Sequence, residues 1–149
     1  MISDTWRYRV KIGNVVFDCS DPDRVATFWA AALGYEKGEY PPEMRKELLE
    51  GGLTEAELAD RSIAEDPAGD GPRLFFQRVP EAKSVKNRVH LDINATPGRR
   101  ATKQEVDTEK DRLLALGAST IRHHDQLWGP YPEYHWVMAD PEGNEFCLQ

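Results

Sequence analysis

The stretch Arg88-Val89-His90-Leu91-Asp92-Ile93 alternates polar and apolar residues, the signature of a strand. His90 and Asp92 therefore share one face. An imidazole beside a carboxylate is a general-base pair, the carboxylate orienting the ring and stabilising its charged form. The same two groups on a sheet surface could also merely satisfy each other. Asp18 stands between Phe17 and Cys19 in an apolar strand, where a carboxylate costs free energy unless partnered. It is either a cavity acid or a structural one bonded to backbone or to an arginine. Glu145, between Asn144 and Phe146, is a candidate base or metal ligand, or half of a salt bridge with Arg88. His123-His124, with His135 beyond, brings further imidazoles. Adjacent strand residues point to opposite faces, so His123 and His124 are poor joint ligands for one ion and are expected in surface or loop roles. Trp128, Tyr131 and Tyr134 surround Gly129-Pro130 as a candidate aromatic lid, or as packing or dimer-contact residues. No phosphate loop, nucleophile elbow or zinc finger is present.

The elements that must position these groups read as follows. Residues 10–19 are rich in strand formers. Asp21-Pro22 is a helix start, with Asp at the cap and Pro at the first helical position. Val25, Phe28, Trp29 and Leu33 recur at helical spacing up to Gly34. A short strand is expected at 35–40. Two short helices follow in an excursion near 41–59, the second opened by the capping box Thr54…Glu57. Strands are expected at 61–65 and 74–79, a polar connector at 80–87, and the His90 strand at 88–93. A helix over 106–116 ends at Gly117, followed by strands at 119–123, 134–138 and 144–149. Residues 125–133, with their glycine and prolines, read as a loop. The order repeats: strand, helix, Leu-Gly, strands, Asp-Pro-x-Gly, strand. Leu33-Gly34 answers Leu116-Gly117, and Asp66-Pro67-Ala68-Gly69 answers Asp140-Pro141-Glu142-Gly143. This predicts an α+β fold of two units within one domain over 1–149, at 10–80 and 87–149.

The bulk properties narrow the function. With 149 residues, 40% hydrophobic and 30% charged, the chain can build one real core. A net charge of −7 argues against nucleic-acid binding and against docking on anionic membranes. Residues 1–9 lack the apolar run of a signal peptide, and no segment approaches a membrane span. A cytoplasmic protein is expected, with Cys19 and Cys147 as free thiols.

The pattern Asp21-Pro22…Phe28-Trp29…Leu33-Gly34-Tyr35 resembles the first helix of the vicinal oxygen chelate superfamily, which includes glyoxalase and bleomycin-resistance proteins. The segments Asn87-Arg88-Val89-His90-Leu91-Asp92 and Met138 to Cys147 are similar to strands of its second module. The similarity covers the chain outside 41–59 and looks closest to the glyoxalase-like domain branch common in actinobacteria. It implies paired βαβββ modules whose curved mixed sheets enclose a small-molecule cavity. It also implies, in metal-dependent members, His and Glu ligands to one divalent ion that binds vicinal oxygens. Here the four ligand slots fall on Asn14, on residues 75–77 with Gln77 the polar one, on His90 and on Cys147. One slot retains its ligand and three are altered. The resemblance thus implies His90, Asp92 and Glu145 as catalytic candidates, and Asp18, Gln77, Trp29 and Cys147 as cavity residues. His90 and Glu145 would be the ligands if a metal is bound, although the altered slots favour none. It leaves two readings open: a lyase- or isomerase-type enzyme without ordinary glyoxalase activity, or a metal-free ligand-sequestering protein. A homodimer is the expected assembly.

Overall fold

The computed structural model describes residues 11–149. Residue 10 and the leader reading of residues 1–9 lie outside the described part. Strand β1 (Asn14–Cys19) leads into helix α1 (Pro22–Leu33). The Asp21 carboxylate accepts from the Arg24 amide at 3.1 Å, satisfying one of the helix's free donors. The helix ends at Gly34, whose φ of 69° is the left-handed turn that glycine adopts without strain. Strand β2 (Glu36–Gly38) is followed by the expected excursion, helices α2 (Pro42–Glu50) and α3 (Glu55–Leu58). Both halves of the Thr54/Glu57 capping box are formed. Strands β3 (Arg61–Glu65) and β4 (Arg73–Arg78) complete the first sheet, in the order β1-β4-β3-β2. β1 and β4 run parallel.

The second unit repeats this plan. Strand β5 (Leu91–Ile93) precedes helix α4 (Lys103–Ala115), opened by a second capping box, Thr102 with Glu105. Strands β6 (Ser119–Trp128), β7 (Tyr131–Ala139) and β8 (Glu145–Leu148) follow, in the sheet order β5-β8-β7-β6. The fold is therefore α+β, two βαβββ units with mixed four-stranded sheets and a helical insertion in the first.

Each sheet buries one face. In β1, Val15, Phe17 and Cys19 turn inward while Asn14, Val16 and Asp18 turn out. Trp29 of α1 is fully buried, with ring centroids 5.1 Å from Phe17, 5.5 Å from Phe28 and 5.2 Å from Phe146. One helix thus fills the interior of its own sheet and reaches β8 of the other. Removing that indole is expected to cost about 3–5 kcal/mol.

A second tie joins the units. Asp140 is buried and accepts from the Trp29 indole N–H (3.0 Å), the Glu142 and Asn144 amides (2.9 and 3.0 Å) and the Asn144 side chain (3.0 Å). Glu142 then accepts from the Ser20 amide (2.6 Å), the Ser20 hydroxyl (2.7 Å) and the Asp21 amide (2.7 Å). The second Asp-Pro-x-Gly turn thereby caps the entry to α1. From the other side, the Arg112 guanidinium donates to the Ala31 and Ala32 carbonyls at the end of α1 (3.0 and 2.8 Å).

Several boundaries differ from the sequence reading, among them the start of α4, at Lys103 rather than 106. Residues 125–133 are not a loop. β6 and β7 pair without interruption from Asp125↔Tyr134 to Trp128↔Tyr131, so Gly129-Pro130 is a two-residue hairpin turn and only Gly129 takes a positive φ (58°). The glycine and prolines disguised a strand pair whose other residues ladder normally. The His90 strand starts at Leu91, because upstream of it the Glu145 carboxylate, not a neighbouring strand, takes the Asn87 amide at 2.7 Å. β1 begins at Asn14, leaving 11–13 irregular.

Candidate functional site

The outward face of the second sheet carries a row of register partners, Asp92↔Cys147↔Val137↔Arg122. His90, just before β5, lies over the start of this row, its Nε2 3.3 Å from Asp92 Oδ1. Cys147 completes the group. One ligand atom each from His90, Asp92 and Cys147 lie within 4.8 Å of one another. All three line a cavity of about 920 Å³ that also takes in Asn94, His135 and Gln149. Its far side is formed by the loop before α4, tied to the β6–β7 hairpin by the bond from the Arg100 guanidinium to the Pro132 carbonyl and by Lys103 on Asp125 (2.6 Å).

The electrostatics of the group follow from its surroundings. Burial, and then the Asp92 carboxylate, push the Cys147 thiol above its ordinary range. Without an added cation this is a neutral thiol, not a nucleophilic thiolate. His135 stacks on His124 with ring centroids 4.4 Å apart, and Nε2 of His124 is buried without a hydrogen-bond partner. Burial, and then the neighbouring His124, lower the pKa of His135, so the ring stays neutral at physiological pH and can accept or donate a hydrogen bond. On the opposite face His123 stacks on Trp136 at 4.1 Å, which separates the two adjacent imidazoles as strand geometry requires.

A second cavity, of about 620 Å³, lies on the other side of His90, which belongs to both. It holds Asp18 and Glu145. Gln77 Nε2 donates to Asp18 Oδ1 at 2.7 Å, so this carboxylate is paired on an open face rather than buried. Glu145 sits against Lys83 (3.3 Å), not Arg88. Burial acts to raise its carboxyl, but the Asn87 amide and the Lys83 ammonium outweigh it and hold the pKa below the usual range. Glu145 is thus held by Lys83 and Asn87, and the donor atoms that lie together with His90 are those of Asp92 and Cys147. The reason is register: Cys147, not Glu145, is the β8 partner of Asp92.

Of the other candidates, Trp29 lies in the core, not in a cavity, because its helix packs the closed face of the sheet. Asn14 accepts from Arg73 Nε at 2.8 Å. Trp128 and Tyr131 stand exposed at the hairpin tip, whereas the Tyr134 hydroxyl bonds Asp107 (2.8 Å), so the three form no common lid. Sequence reading missed Lys83, which sits in a connector without periodicity. His135 lies in the strand expected at 134–138, but nothing in the sequence brings it to the same cavity as His90.

The donor set admits a divalent ion. Nitrogen, oxygen and sulfur from three residues suit a borderline metal such as zinc, with positions left open for a ligand. At the slot on β1 the neighbouring Arg73 guanidinium opposes a cation.

No helix is long and apolar enough to cross a membrane among the described residues. No protein of curated function matches the chain. Among solved structures it is similar to a glyoxalase/bleomycin resistance protein/dioxygenase family enzyme from Burkholderia phytofirmans, with TM-score 0.60, 16% identity, and 93% of this chain and 97% of that one covered. The fosfomycin resistance protein FosX from Listeria monocytogenes aligns with TM-score 0.60 and 12% identity over 95% and 89% of the chains. A glyoxalase-related enzyme from Fulvimarina pelagi aligns with TM-score 0.59 and 15% identity over 93% and 86%. These likenesses establish the shared fold, and the glyoxalase-like domain family matches residues 14–149. With the duplicated βαβββ plan, this places the chain in the glyoxalase-like domain family of the vicinal oxygen chelate superfamily.

Proposed function

We propose that the protein binds a small oxygenated molecule over His90, Asp92 and Cys147 and moves a proton on it. The observation that carries this reading is the convergence of three chemically distinct side chains on one cavity floor. His90, backed by Asp92, is placed to take a proton from a carbon or hydroxyl next to a carbonyl. Asp92 stands beside the ring, its Oδ1 3.3 Å from Nε2, and orients it. The Cys147 thiol and the neutral His135 supply hydrogen bonds that orient the substrate oxygens. When a divalent ion binds, His90, Asp92 and Cys147 would hold it, and it would supply Lewis-acid polarisation of two vicinal oxygens. Turnover of the methylglyoxal–glutathione adduct is not expected, because Asn14 and Cys147 replace the ligands that chemistry uses.

The test is calorimetric titration of native and His90→Ala protein with Zn²⁺, then with lactate as a vicinal-oxygen probe. Binding of lactate that disappears in His90→Ala supports the reading. Equal binding by both proteins overturns it. Lactate binding without any Zn²⁺ uptake would favour the metal-free form of the site.

A further inference from the structure

The connector between the two units is polar, with Glu81, Lys83, Ser84, Lys86, Asn87 and Arg88, yet Val85 and Val89 are 73% and 79% exposed within it. Val16, on the open face of β1, is 51% exposed. A lone exposed valine needs no explanation. These three line the same 620 Å³ cavity, together with Val79, and that cavity shares His90 with the polar one. Two of the carboxylates there are already paired, Glu145 with Lys83 and Asn87, and Asp18 with Gln77, while Glu81 and Ser84 also line the cavity. The valines give this cavity a hydrocarbon face, and the imidazole belongs to the same lining.

Resting on the reading of the His90 site above, we infer that the ligand is amphipathic, its oxygenated head over His90, Asp92 and Cys147 and a hydrocarbon chain lying along Val16, Val85 and Val89. Binding removes the valines and the chain from water together, and gains affinity with each methylene buried. His90 lines both cavities, so they lie side by side, an arrangement that suits a single two-ended molecule. The volume of the second cavity is in the range that small-molecule sites use.

The test is a series of 2-hydroxy acids, from lactate to 2-hydroxyoctanoate, titrated into native protein and a Val16→Asp/Val89→Asp variant. Both positions are solvent-facing, so the variant should fold, and unfolding curves check this. Affinity is expected to rise about tenfold or more across the series in native protein. It should stay flat in the variant, with lactate binding unchanged. Equal affinity for lactate and 2-hydroxyoctanoate in native protein overturns the inference while leaving the His90 site standing. If neither acid binds, the reading of the His90 site falls. The valine lobe is then judged with 1-hexanol: shifts in the Val16, Val85 and Val89 methyl resonances support it, and their absence overturns it. Gel filtration supplies the last arm. A native dimer that the double variant converts to monomer means a second copy covers these valines, and the inference fails.

Discussion

The two βαβββ units share a plan and differ in what their open faces do. On the first sheet the polar groups pair with one another: Arg73 with Asn14 and Glu65, and Gln77 with Asp18. On the second, His124 keeps a buried nitrogen unpartnered, and His90, Asp92 and Cys147 converge without being used by the fold. The Asp-Pro-x-Gly turns diverge too. Asp66 accepts only from its own loop, the amides of Ala68, Asp70 and Gly71. Asp140 and Glu142 reach across to the first unit. The second turn clamps the twin unit while the first serves its own loop, and among the described residues the second sheet alone gathers a His, an Asp and a Cys on its open face.

Four predictions can break or sharpen this contrast. The largest effect is expected from Asp140→Ala, which strands the buried Trp29 indole N–H and the Asn144 groups. A loss of about 3–4 kcal/mol in urea unfolding is predicted, against about 1 kcal/mol for the matching Asp66→Ala. Equal losses would end the claim that only the second turn clamps. Next is Glu142→Ala, which uncaps Ser20 and Asp21 at the entry to α1. About 1–2 kcal/mol is expected, and the Tm should fall accordingly.

The third concerns pH. Burial acts to raise the Asp107 carboxyl, but bonds from the Trp136 indole and Tyr134 hydroxyl bring its pKa below the ordinary 3.8. A depressed carboxylate stabilises the fold fully above its unfolded value and loses that contribution as pH falls through the folded one. Asp107→Asn should therefore flatten the decline in stability below about pH 4, seen by comparing midpoints at pH 3 and pH 6. An unchanged slope would show that the bonds to Asp107 do not hold its charge. The smallest effects are expected from His90→Ala and Cys147→Ser. Each should alter stability by no more than about 0.5 kcal/mol, because neither group serves the core. A loss of several kcal/mol would mean that the cluster is structural.

Most of the fold was legible because its signals are local. Asp21-Pro22 and Gly34 bound α1, Thr54/Glu57 caps α3, and the repeat exposed the duplication; the second capping box, Thr102/Glu105, opens α4 at Lys103, ahead of the start at 106 read from the sequence. The hairpin was not legible, since glycine and proline in a two-residue turn look the same in sequence as in a long loop. For the site, His90 and Asp92 could be read from alternation. That Cys147 and not Glu145 joins them depends on the parallel pairing of β5 with β8 across more than fifty residues, which no local pattern encodes. Trp29 illustrates the converse: a large aromatic at helical spacing belongs to the core before it belongs to a cavity.

The bond from Trp29 to Asp140 spans 111 positions. At a ribosome's pace of roughly 5–20 residues per second, the indole is made about 5–20 seconds before its acceptor. Through that interval α1 can lie against β1, but Phe28 and Trp29 lack Phe146, and the start of the helix lacks Glu142. The first half of the chain therefore emerges with its most apolar helix only half covered. Its final packing waits on the slowest kind of contact, one between distant parts of the sequence. A nascent chain stalled before residue 140 should be the form of this protein most in need of a chaperone.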